Sequence, residues 1–187
     1  MSNKRLVFLV EVAIFSGLAL ILDFISFKMW AQGGSISLAM VPVFLIAFRR
    51  GLKGGLLTGF LFGILQLITN PYFMNVIQVS IDYLIAFSSL GLAGLLSSKV
   101  KEAVFGRDKS SVIIYIVLGT FVGSLFRFIA HFIAGITFYK EFAPPETPVA
   151  LYSLLYNGSY MLPGFIISAI VLILLINSSK RLLQTNS

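Results

Sequence analysis

A chain of 187 residues with 58% apolar and only 11% charged residues lies far from the soluble average, in which about a quarter of residues are charged. It has no cysteine and a single histidine, which excludes disulfides and thiolate metal sites and argues against a histidine-based metal centre. Its net charge of +7 fits basic loops at a membrane face better than contacts with nucleic acid.

The apolar runs are continuous and approach the roughly 20 residues that a helix needs to cross a bilayer. A transmembrane barrel would instead alternate over short segments. The first run, 6–27, follows Lys4 and Arg5 as a secretory signal would. It exceeds the usual apolar core of a signal, carries Glu11 and lacks a small-residue cleavage site, so it reads as a retained span. The second, 36–49, is short for a crossing and is expected to tilt or to be surrounded by protein, with Pro42 suited to its first turn. Four more follow at 52–69, 76–98, 111–139 and 150–177. The expectation is an all-α membrane protein of six transmembrane helices, with residues 1–187 forming a single integral membrane domain. The longest polar loop, 99–110, is too short to fold alone.

Basic residues set the orientation. Lys4, Arg5, Arg49, Arg50, Lys53, Lys99, Lys101, Arg107, Lys109, Lys180 and Arg181 fall on one side, against Lys28 and Lys140 on the other. The positive-inside rule then places both termini in the cytoplasm, with the protein in the cell membrane. The run GLKGGLLTG lacks the spacing and the Lys-Ser/Thr pair of a phosphate-binding loop, so no ATP site is expected in this chain.

Ionisable residues within spans are costly and are functional candidates by default. Asp82 and Tyr83 lie in the outer third of the fourth span. Arg127 and His131, four apart in RFIAHFIAGITFY, share a helical face, and Tyr139 reaches the rim. In the last span Tyr152, Tyr156 and Tyr160 share a face, with Asn157 beside them and a bend expected near Pro163. With Trp30 and Tyr72 from outer loops, these groups offer one carboxylate, one imidazole, an amide and several aromatic faces. That inventory suits a small, flat, cationic ligand. It lacks the paired groups that most hydrolytic chemistry needs, so no catalytic residue is assigned. A purely structural alternative stays open: Asp82 pairing with Arg127, His131 satisfied within the core and the tyrosines forming an interfacial belt. Glu11 reads as structural or partner-facing. Ala13 and Gly17 form a small-xxx-small pair, open either to packing in the bundle or to another protein's helix.

The segments QGGSISLAMVPVFLIAFRRGLKGG, IDYLIAFSSLGLAG and RFIAHFIAGITFY…YSLLYNGSYMLP carry a resemblance over nearly the whole chain. It resembles the thiamine-specific S components of energy-coupling factor transporters. The resemblance implies a six-helix protein that captures thiamine outside and works with a transmembrane coupling protein and two ATPase subunits. ATP would be used by those partners, and this chain would hold no cofactor of its own. It further implies that Trp30 covers the site and that Asp82 and Tyr83 form an acidic-aromatic binding pair. His131 and Tyr139 would flank the ligand rings, Tyr152, Asn157 and Tyr72 would add contacts, and Ala13 and Gly17 would meet the coupling protein. Some relatives carry Glu at Asp82 and Trp at Tyr139; a shorter acid lengthens or hydrates the contact, and Tyr offers a weaker cation–π face. The rival readings are a solitary facilitator or ion-coupled carrier for a similar cation or for hydroxymethylpyrimidine, and an intramembrane enzyme using Asp82 and His131.

Overall fold

The computed structural model describes residues 3–28 and 34–185. Trp30, expected to cover the site, lies outside the described residues. Among the described residues, five helices are long and apolar enough to cross a membrane: α1 (Asn3–Phe24), α2 (Met40–Thr69), α3 (Val76–Gly106), α4 (Lys109–Phe138) and α5 (Val149–Ser178). Among the described residues the extended pairing is confined to one antiparallel bridge, Phe27 with Ile36, joined by reciprocal bonds of 3.0 Å. The class expected from sequence, an all-α membrane protein, is the one found.

The expected second and third spans form the one long element α2, and it is not straight. Gly51 leaves the helix at φ 74°, a backbone region that favours glycine. A Cβ at Gly55 would lie 2.6 Å from that of Ala47, which a straight helix would hold about two turns away. The chain therefore doubles back at Gly51. The first arm, from residue 40, is short because it is core: Met40 to Phe48 are all buried, so it meets protein rather than lipid. It starts later than expected, since residues 36–39 belong to the bridge and turn before it.

The element α3 is longer than expected and irregular. It passes from α-helix into a π-helical turn at Ser80–Ile85, then through a 3₁₀ stretch at Leu90–Leu96, and ends at Gly106. Its irregular middle packs backbone to backbone on the second arm of α2. A Cβ at Gly63 would run into the Tyr83 carbonyl oxygen, and one at Gly59 into that of Phe87. Close approach of this kind is what small residues supply in membrane bundles, where hydrophobicity drives no helix association.

Two ends of the bundle differ in chemistry. At one end Glu11 of α1 accepts hydrogen bonds from Arg49 and Arg50 at the α2 reversal, with Arg49 Nη2 at 2.9 Å. Arg49 also donates to the Leu182 carbonyl at 2.8 Å and to that of Arg181 at 3.2 Å. Glu11 is thus structural: it joins α1, the reversal and the C-terminal segment. The opposite end gathers the polar aromatic groups.

Candidate functional site

Four segments meet at that second end: the close of α2, the first turns of α3 with their π-helical stretch, the last turns of α4 and the first turns of α5. Between them lies a cavity of about 210 Å³ lined by Tyr72, Asp82, Tyr83, His131, Tyr139, Tyr152 and Asn157. Every described residue expected at the site from sequence is on its wall. Gln66, Asn70, Phe87, Arg127, Ser153, Tyr156 and Tyr160 line it as well.

Asp82 is the centre. It is 8% exposed and sits in the π-helical turn, a distortion that recurs at functional sites. His131 Nδ1 lies 2.9 Å from its Oδ1, and its Oδ2 accepts from Gln78 Nε2 at 2.8 Å and from the Tyr139 hydroxyl at 2.9 Å. An ionised carboxylate only accepts, so Nδ1 of His131 carries the proton. Arg127 Nε donates to His131 Nε2 at 3.4 Å, which leaves that nitrogen as the acceptor. The two contacts together specify a neutral imidazole of one tautomer. They also correct the alternative in which Asp82 pairs with Arg127: the imidazole stands between the two charges. The guanidinium itself lies over the Phe87 ring, 4.5 Å from its centroid.

Aromatic faces complete the wall. Tyr139 stacks on Tyr72 with centroids 5.7 Å apart and planes 24° from parallel. The Tyr83 hydroxyl donates to the Asn70 carbonyl at 3.0 Å and accepts from Tyr72 N–H at 2.8 Å, so it pins the loop that carries Tyr72. Tyr152, Tyr156 and Tyr160 run down one face of α5 with successive centroids 5.7 and 6.0 Å apart, as their spacing predicts. The Asn157 amide donates to the Ser153 carbonyl at 2.9 Å and accepts from the Tyr160 hydroxyl at 2.6 Å. A Cβ at Gly135 would strike Ser153 Oγ, so this glycine lets α4 and α5 close the cavity's side.

Gln78 is the residue that sequence reading missed. It is fully buried, holds both Asp82 and Tyr139, and accepts from Met74 N–H at 3.1 Å. Its signal was present: it lies four residues before Asp82 on the same helical face. Ala13 is exposed and a Cβ at Gly17 would meet no atom within 4 Å. Among the described residues that pair therefore makes no close helix contact within the chain. The buried face of α1 is carried by Val12, Ser16, Ala19 and Asp23.

A family model described as thiamine transporter protein (Thia_YuaJ) matches residues 9–184. A thiamine transporter ThiT of Bacillus subtilis is 46% identical over 98% of this chain and 97% of its own length. A thiamine transporter ThiT of Lacticaseibacillus paracasei is 32% identical over 96% of this chain and 92% of its own. A solved structure of ThiT from Listeria monocytogenes superposes with a TM-score of 0.91 at 31% identity, covering 97% of this chain and 99% of that one.

Proposed function

From the premise that the chain belongs to the thiamine transporter family, a family of multi-pass membrane transporters and not of enzymes, we propose that the cavity around Asp82 is its thiamine site. The observation that carries this reading is a buried carboxylate in an otherwise aromatic chamber. Three of the about four acceptor positions of Asp82 are taken by His131, Gln78 and Tyr139, and one remains on Oδ1. Thiamine brings a permanent thiazolium charge and an aminopyrimidine with N–H donors. The carboxylate answers both needs, and the Tyr72–Tyr139 stack and the α5 tyrosines offer faces for either ring. Trp30, which falls between α1 and α2 in sequence, is proposed to cover the ligand.

We place the site end outside the cell. The basic residues of the reversal at Arg49 and Arg50, of the end of α3 and of the C-terminal segment then face the cytoplasm, as the positive-inside rule requires. The reversal at Gly51 supports six crossings with both termini cytoplasmic. Uptake against a gradient needs an energy source, and the sequence holds no phosphate-binding loop. The partners that fit are a transmembrane coupling protein and two ATPase subunits, with ATP spent there and no cofactor in this chain. The Ala13–Gly17 face of α1 offers small residues against which a helix of the coupling protein would seat.

Titrating the purified chain in detergent with thiamine, following the fluorescence of its single tryptophan, tests the reading. Saturable one-to-one quenching is expected. A silent Trp30 together with no heat of binding would refute it. Uptake by vesicles holding this chain alone would favour the solitary facilitator over the energy-coupled transporter.

A further inference from the structure

Behind the thiamine cavity lies a second, much smaller one of about 10 Å³, bounded by Asp23, Ser35, Ser37, Arg127 and Tyr160. That is room for one water molecule, and the wall supplies more than the two to four polar partners such a water needs. Arg127 lines both cavities and so forms part of the partition between them. Asp23 is 9% exposed and closes the buried stripe of α1, four residues beyond Ala19 and seven beyond Ser16. Among the described residues it has neither a hydrogen-bond nor an ion-pair partner. A carboxylate at such depth is costly unless a charge answers it. Arg127 lines the same small cavity.

The charge count gives this arrangement a consequence. On the thiamine side Arg127 and Asp82 cancel through the neutral His131 between them. The guanidinium weakens the preference that Asp82 gives the cavity for a cation over its neutral likeness. We propose that Asp23 is the counter-charge of Arg127, acting through a single bridging water in the small cavity, and that it sets the thiamine site at net −1 and thereby selects the monocation over thiamine's phosphate esters. The proposal rests on the assignment of the site in the preceding section.

Three ligands separate an electrical role from a structural one: thiamine, its uncharged isostere with thiophene in place of thiazolium, and thiamine monophosphate. Calorimetry on the full chain in detergent is the measurement. Asp23→Asn is expected to weaken thiamine about tenfold, which is the scale of one charge acting across a protein interior of intermediate dielectric. It should leave the isostere within about twofold and tighten the monophosphate, both following from the same field. Asp23→Glu keeps the charge and should keep the wild-type ranking. Asp23→Asn combined with Arg127→Gln restores the net charge and should restore the preference for thiamine over the isostere. An equal loss for all three ligands, or no change in any, would overturn the proposal. If Asp23→Asn does not fold, Arg127→Gln alone decides: it makes the site more negative and must raise the preference for thiamine over the monophosphate, and an unchanged preference overturns the idea. Asp82→Asn run alongside keeps the two readings apart. Unchanged thiamine affinity in that variant refutes the site itself; a normal loss there with a uniform Asp23→Asn effect refutes only the counter-charge.

Discussion

His131 and Asp82 meet at 2.9 Å, Nδ1 to Oδ1, from two helices whose sequence positions differ by 49. The contact fixes the carboxylate's orientation without neutralising it, because the imidazole gives a hydrogen bond and no charge. Asp82→Asn keeps an oxygen for His131 and removes the charge. Thiamine affinity should fall about hundredfold, in the range for truncating one partner of a buried charge pair. Helical content by circular dichroism should stay as it was. Retained affinity in a folded Asp82→Asn variant would show that the ligand's cation is held elsewhere.

Gln78 holds Asp82 from the other side. Its amide donates to Oδ2 at 2.8 Å and to the Tyr139 hydroxyl at 3.0 Å. Gln78→Leu preserves volume and removes both bonds, freeing the carboxylate to rotate. One hydrogen bond to a charged group contributes about 1.5–3 kcal/mol, so a loss of about tenfold or more in thiamine affinity is expected. Isothermal titration measures it. An unaltered constant would mean that His131 and Tyr139 suffice to orient Asp82.

Tyr139 has two separable duties. Its ring stacks on Tyr72 and its hydroxyl donates to Asp82 at 2.9 Å. Tyr139→Phe keeps the face and loses the bond; Tyr139→Ala loses both. If the face holds a cationic ring, the alanine variant should bind at least about tenfold more weakly than the phenylalanine variant, following the roughly 1–2 kcal/mol of a desolvated cation–π contact. Equal losses would assign the residue's contribution to its hydroxyl alone.

The sequence shows the chemistry of this site more clearly than its supports. Asp82, His131, Tyr139 and Asn157 stand out because polar groups are costly within apolar runs. Helical spacing then puts Tyr152, Tyr156 and Tyr160 on one face. Gln78 escaped notice because an amide near a span end looks like an ordinary interfacial residue, and its value depends on reaching Tyr139, 61 positions away. The π-helical turn around Asp82 has no compositional signature. The reversal at Gly51 was legible as a boundary between two spans, since Arg49, Arg50 and Lys53 interrupt the apolar run. The burial of residues 40–48 was legible only as one of two options, because a run too short to cross can either tilt or be surrounded by protein. Pairing was the least legible layer: Arg127 next to His131 suggested an ion pair with Asp82, and only the packed geometry puts the imidazole between them.

Gly63 tests how far the fold holds the site. A Cβ there would collide with the Tyr83 carbonyl, which is backbone and cannot swing aside. Relief requires the π-helical turn to move, and Asp82 with it. Gly63→Val should lower the melting temperature in detergent and abolish measurable thiamine binding. Gly158 is the contrast: a Cβ there meets nothing within 4 Å, and alanine is favoured over glycine in a helix by about 1 kcal/mol. Gly158→Ala should melt at the same temperature or higher. A Gly63→Val variant that binds normally would show that the two helices can part without disturbing Asp82.

Glu11 should behave in the opposite way, because it stands at the far end of the bundle. One carboxylate there answers two guanidiniums, and Arg49 in turn holds the Leu182 carbonyl at 2.8 Å. Glu11→Gln leaves Arg49 and Arg50 side by side without their counter-charge. Removing one partner of a fully buried pair costs about 3–5 kcal/mol. These side chains are 15–19% exposed, so solvent screening should reduce the loss to about 1–2 kcal/mol. The cluster touches none of the groups that line the thiamine cavity. The variant should therefore melt several degrees lower, while the fraction that remains folded binds thiamine with unchanged affinity. A fall in affinity without a fall in melting temperature would show instead that the Glu11 cluster and the cavity at the opposite end are coupled, and that Glu11 takes part in a conformational change rather than only in the fold.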